Sequence, residues 1–199
     1  MEISYLKDKI IFEKELNSLD KFVIDFTLIL DKIGIKYVLV SGYVSILFGR
    51  NRSSEDIDMI IEEITFEKFK ELWIELENNF ECVNTDNLED AYNIYLNSRH
   101  SIRFSRKGEY IPNMEIKFQK IEIEKWVLEN RFLVLLNEYG LFISRIELQI
   151  PFKLFLGSEK DIEDAKYLFS MFKDKIDMDL LKEFNRKLKI EPLFNKYIR

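Results

Sequence analysis

Over residues 13–32 apolar side chains recur mostly at helical spacing, with Leu16, Leu19, Phe22, Val23, Phe26, Leu28 and Leu30 predicting an amphipathic helix that Gly34 stops. A shorter helix is predicted before it, over Met1 to Phe12. Lys36 to Val40 then reads as a buried strand, Ser41 and Gly42 as a small-residue turn, and Tyr43 to Phe48 as a short helix ended by Gly49. A polar loop leads into a second apolar strand that ends near Glu62 and carries Asp56 and Asp58. Thr65 is placed to cap a helix running to about Asn79, with Phe66, Phe69, Leu72, Trp73 and Leu76 on one face. Phe80 to Val83 predicts a short strand, while Asp86 to Leu96 fits a helix or a strand. His100 to Ser105 and Ile111 to Gln119 predict a strand pair around the turn RKGEYIP. Ile123 to Glu129 follows as a helix and Phe132 to Leu136 as a strand.

From Ser144 onward the period is helical, with segments Arg145 to Leu156, Ser158 to Phe172, Met178 to Leu188 and a last piece to Arg199. Strands in the first two thirds and helices in the last third predict an α+β fold: a core over residues 1–143, N-terminal helices included, and a helical C-terminal part over 144–199 packed on it. No repeat, low-complexity run or flexible linker separates the two.

Composition narrows the chemistry. A chain of 199 residues, 47% hydrophobic and 14% aromatic, is long and apolar enough to bury a core. Its net charge of -6 does not attract polyanions, so a nucleic-acid partner would need a local basic patch. The single cysteine, Cys82, excludes an internal disulfide, and the single histidine, His100, excludes a multi-histidine zinc site. No run approaches the roughly 18 uncharged residues of a membrane span, and the charged N-terminus lacks the pattern of a secretion signal. A cytoplasmic protein without a membrane partner is expected.

Against that background the stretch YVLVSGYVSILFGRNRSSEDIDMIIE stands out. Side chains alternate along a strand, so Asp56 and Asp58 point to the same face and could share a metal ion. A strand-to-helix turn of small residues such as Ser41 and Gly42 lets a phosphate approach the backbone. Gly42, Gly49, Arg52, Ser54, Asp56 and Asp58 together resemble the nucleotidyltransferase-fold superfamily, in particular the group of abortive-infection nucleotidyltransferase toxins. That group's pattern runs from a Gly-Gly pair through a small helix to Gly-x-x-Arg-x-Ser/Thr-x-Asp-x-Asp. Here Ser41 replaces one glycine of the pair.

The resemblance implies a nucleotidyltransferase-like mixed sheet flanked by helices. It also implies a third carboxylate on a neighbouring strand, for which Glu115 in NMEIKF is the candidate, completing a catalytic and metal-binding set with Asp56 and Asp58. A lysine on one helix and a basic-Asp-x-x-Asp segment opening the next have counterparts in Lys153 and in Lys160, Asp161 and Asp164. Asp161 also completes a capping box with Ser158, so a helix-start role stands beside the nucleotide-binding one. Ser41, Gly42, Arg52, Ser54, Lys153, Lys160 and Asp161 form the implied nucleotide-binding set.

Magnesium, or manganese in its place, takes oxygen ligands and is held by one or two carboxylates together with substrate phosphates. The implied activity moves a nucleoside monophosphate from an NTP such as ATP to a hydroxyl of a tRNA, a protein or a small molecule, with two ions steadying both oxygens in flight. A toxin–antitoxin or phage-defence setting, with an antitoxin or toxin partner, follows by analogy. The alternative is a non-catalytic nucleotide- or protein-binding module of the same fold. Arg99, Arg103, Arg106 and Lys107, interleaved with Tyr95, Phe104 and Tyr110, could bind nucleic acid, but a solvated sheet edge is the favoured reading.

Overall fold

The segment DIDMII places Ile57, Met59 and Ile61 on one side of a strand and Asp56, Asp58 and Ile60 on the other. The first three are fully buried. Burial of such a side chain contributes about 1.5–3 kcal/mol, so the register of this strand is strongly determined. The computed structural model describes residues 2–198. Among them this strand lies near the middle of a nine-stranded mixed sheet.

In chain order the strands are β1 (Ile3–Tyr5), β2 (Lys9–Phe12), β3 (Tyr37–Leu39), β4 (Asp56–Ile61), β5 (Phe80–Cys82), β6 (Ile102–Arg106), β7 (Asn113–Phe118), β8 (Phe132–Leu136) and β9 (Tyr139–Ile143). Their spatial order is β1-β2-β8-β9-β3-β4-β7-β6-β5. β4 pairs antiparallel with β3 and parallel with β7, and β7 pairs antiparallel with β6.

Helices cover both faces. They are α1 (Ser18–Ile33), α2 (Gly42–Leu47), α3 (Phe66–Leu76), α4 (Leu88–Asp90), α5 (Glu122–Glu129), α6 (Ile146–Leu156), α7 (Glu159–Phe172), α8 (Met178–Lys187) and α9 (Glu191–Tyr197). The larger core joins one sheet face to α1, α2 and α3 and extends to α7. A smaller one joins Val38 and Ile60 to Val127 and Leu128 of α5, Leu148 of α6 and Phe184 of α8. Asp56 and Asp58 share the face of Ile60, beyond the end of that smaller core.

The structure departs from the predicted elements at the N-terminus and after β8. The N-terminal helix is a hairpin of β1 and β2, with β2 parallel to β8 and Ile10 and Phe12 buried at alternate positions. Local spacing over so few residues does not reveal a strand partner far along the chain. Strand β9 is also additional, and it joins β8 to β3. Residues 86–96 resolve as α4 continuing into a π-helical turn over Ala91–Leu96. α1 begins at Ser18 rather than residue 13, because Asn17 and Asp20 cap each other's backbone there. Met1 and Arg199, the outer ends of two predicted helical segments, lie outside the described residues.

Candidate active site

Register across β4 and β7 assembles the acidic face. Asp56 is the partner of Asn113, and Asp58 the partner of Glu115, so all four side chains stand on one side of the sheet. Asn113 Nδ2 donates to Asp56 Oδ1 at 2.8 Å, and the Ser54 hydroxyl donates to the Asp56 carbonyl at 2.9 Å. Burial pushes the Asp58 carboxyl above its ordinary value, and the nearby charges of Glu115 and Asp56 add to that. The Ser41 hydroxyl and Lys117 act in the opposite direction. Glu115 is not open: Arg103, its register partner on β6, places both Nε and a terminal nitrogen 2.8 Å from Glu115 Oε2.

Ser41 joins this face to a second group of charges. Its backbone has φ 60° and ψ −130°, a conformation that favours glycine, and such strain persists where surrounding structure imposes it. Gln149 of α6 donates to the Ser41 carbonyl at 2.7 Å and accepts from the Ser144 hydroxyl at 2.9 Å. Next to it, Gly42 lies directly under the Arg52 guanidinium; a Cβ there would sit 2.3 Å from an Arg52 nitrogen. A methyl group there would have to displace the Arg52 guanidinium.

From the loop before β4, Arg52 reaches Asp164 of α7 at 3.0 Å, and Arg50 reaches the same carboxylate at 3.3 Å. Lys153 of α6, 2% exposed, bridges Asp164 at 3.1 Å and Asp161 at 2.7 Å. Asp164 is fully buried at the centre of these cations. Asp161 accepts from the Ser158 hydroxyl at 2.6 Å while its own N–H donates to that hydroxyl oxygen. The Ser158 hydroxyl thus caps α7, while the Asp161 carboxylate holds that hydroxyl and Lys153 and does not reach the Ser158 backbone N–H that a full capping box requires. Lys160 is exposed and makes no ion pair among the described residues.

Sequence-predicted residues thus fall into two sets, Asp56, Asp58 and Glu115 on the strands with Ser54 just before β4, and Arg52, Lys153 and Asp161 on the loop and helices, bridged by Ser41 and Gly42. Lys160 lies outside both. Four participants are additional to the predicted set: Asn113, Arg103, Arg50 and Asp164. Only Asp164 carried a signal, as the second acid of the Asp-x-x-Asp segment. The others depend on strand register or on helix packing that the sequence does not display.

The reading of the basic run as a solvated edge is corrected. β6 lies between β5 and β7, and Arg99, Arg103 and Arg106 are engaged by Glu63, Glu115 and Asp25. Their pairing partners are distant in sequence, so the run looked unpartnered.

No group of three His, Cys, Asp or Glu side chains suited to a metal ion is present among the described residues. The donors that remain fit a magnesium-type ion all the same, because Asp56 and Asp58 offer two carboxylates on one face and substrate phosphates commonly complete the shell. On the same face Val40, Ile60, Leu148 and Phe152 line a small cavity of about 60 Å³. Its polar neighbours are paired with one another, Lys117 with Glu124 at 2.7 Å and Ser144 with Gln149.

Among solved structures the chain is similar to an antigenic nucleotidyltransferase-like protein from Paracoccidioides brasiliensis, with a TM-score of 0.52, 18% identity, and coverage of 92% of this chain and 94% of that one. The fold is nucleotidyltransferase-like. JHP933 from Helicobacter pylori is similar with a TM-score of 0.48 and 18% identity, over 92% of this chain and 80% of that one. A tRNA nucleotidyltransferase complexed with a primer tRNA and an incoming ATP analog has a TM-score of 0.35 and 15% identity, over 86% and 60% of the two chains. No protein-family model and no curated protein matches the sequence. In this nucleotidyltransferase-like fold, no described helix is long and apolar enough to cross a membrane.

Proposed function

We propose that the chain is a divalent-metal-dependent nucleotidyltransferase that moves a nucleoside monophosphate from an NTP to a hydroxyl acceptor. The observation carrying this reading is the register of β4 against β7, which sets Asp56 and Asp58 on one face beside the Ser41–Gly42 turn. Asp56 and Asp58 would hold the cation, which when bound neutralises phosphate charge and favours attack by the acceptor oxygen. Asn113 fixes the orientation of Asp56 through its 2.8 Å hydrogen bond. Arg50, Arg52 and Lys153 face only Asp161 and Asp164, so the buried cluster keeps a net positive charge suited to a triphosphate. Transfer in such a cleft depends on positioning and charge more than on covalent participation by the protein.

The test is incubation with each α-labelled NTP, Mg²⁺ and cell lysate, comparing wild type with Asp56→Ala and Asp58→Ala. Label transferred by the wild type to RNA, protein or a small molecule, and lost in both variants, is the expected result. No transfer with any NTP, together with no Mg²⁺-dependent NTP binding in calorimetry, overturns it. The resemblance to abortive-infection toxins adds a growth readout: expression of the wild type alone slows growth and the double variant does not. Equal growth of the two removes the toxin setting and leaves the transferase reading to the labelling experiment.

One observation favours a second reading, binding without transfer: the Arg103–Glu115 bridge occupies one of the three acids. Mg²⁺-dependent NTP binding without label transfer would select it.

A further inference from the structure

Three carboxylates on one face would carry enough negative charge for two divalent ions, but one of the three is already neutralised. Arg103 and Glu115 are register partners across β6 and β7, so their contact follows from backbone pairing as well as side-chain choice. Two guanidinium nitrogens lie 2.8 Å from the same Glu115 oxygen. A guanidinium keeps its charge at every accessible pH and is more weakly hydrated than an ammonium, so it competes well with a cation for a carboxylate.

At the Asp56 side the balance is opposite. Asn113 is 5% exposed and turned toward Asp56, and its Oδ1 is buried without a donor. Asp56 and Asp58 thus leave carboxylate charge without a cationic partner in contact at one end of the face, and Arg103 supplies positive charge at the other.

We propose that this site binds one divalent cation, at Asp56 and Asp58, and that Arg103 takes the place of a second. The proposal rests on the transferase reading and specifies its ion count. Arg103 is a positioning residue: it holds Glu115 and contributes a fixed charge beside Asp58. Its side chain is about half exposed, so the site can lose it without opening the core.

Counting bound Mn²⁺ by electron paramagnetic resonance tests this, first with Mn²⁺ alone and then with a non-hydrolysable analogue of the NTP found in the labelling experiment. Wild type is expected to saturate at one protein-bound ion and Arg103→Ala at two, with Arg103→Lys remaining at one. Asp58→Ala should lose the ion. Two ions in the wild type overturn the proposal, as does a count of one in Arg103→Ala with an unchanged melting temperature. If Arg103→Ala does not fold, the wild-type count and the Arg103→Lys count decide. No bound Mn²⁺ overturns it as well, and label transfer then separates the two failures: transfer with no ion refutes only the ion count, and neither refutes both readings.

Discussion

On the sheet, Asp56 and Asp58 are held beside each other and beside Glu115, and only Glu115 has a cationic partner in direct contact. On the helices, Asp164 is fully buried but touched by Arg50, Arg52 and Lys153. The first arrangement combines burial with accumulated like charge, and both raise the Asp58 carboxyl above its ordinary value, burial the more. The second neutralises charge inside the protein, where an uncompensated ion costs several kcal/mol. One set of acids has the excess charge that the proposed cation site would use, and the other is neutralised within the fold.

The contrast is sharpest in stability. Asp164→Ala should cost about 3–5 kcal/mol, because three cations lose their shared buried partner; urea denaturation measures this, and an unchanged midpoint would break the comparison. Gly42→Ala comes next. Its methyl group would meet the Arg52 guanidinium at 2.3 Å and push it off Asp164, at a cost of about 1–3 kcal/mol. Denaturation of Gly42→Ala at or above the wild-type midpoint would show that Arg52 moves without penalty.

Asp161 gives a smaller, pH-dependent effect. Burial alone would push its carboxyl up, but hydrogen bonds from Lys153 and Ser158 and the charges of Lys153 and Arg52 hold it below the usual carboxylate value. A carboxylate with a depressed value in the folded state contributes stability that is complete above its unfolded value, about pH 4, and is lost as pH falls through the folded one. The stability difference between wild type and Asp161→Asn should therefore be constant at neutral pH and close only under acid. A difference that widens as pH falls would contradict the pairing. The smallest effect on stability is expected at Asp58→Asn, which relieves like-charge repulsion in a half-buried site. Its midpoint should match or exceed that of wild type while label transfer falls by at least about a hundredfold. Clear destabilisation by Asp58→Asn would make it a structural acid like Asp164.

Much of this was legible in the chain. β4 was readable because buried and acidic positions alternate within DIDMII, and the caps at Thr65 and Ser158 lie within three residues of the groups they serve. Gly42 was readable as a special position, though its reason, the Arg52 guanidinium lying against it, was not. The N-terminal hairpin was missed because β2 draws its order from β8, more than a hundred residues away.

What the sequence by itself determined is the local layer: the acidic strand, the small-residue turn, the helical C-terminal pattern and the residue types on which the proposed nucleotide site would draw. Periodicity and capping are short-range, so they can be read from neighbours along the chain. Tertiary structure alone decided which charges are spent and which remain. Pairing of Arg103 with Glu115, of Asn113 with Asp56, and of Arg50, Arg52 and Lys153 with Asp164 all arise from strand register and helix packing between distant segments. A charge acquires its role from what it meets, and those meetings are long-range.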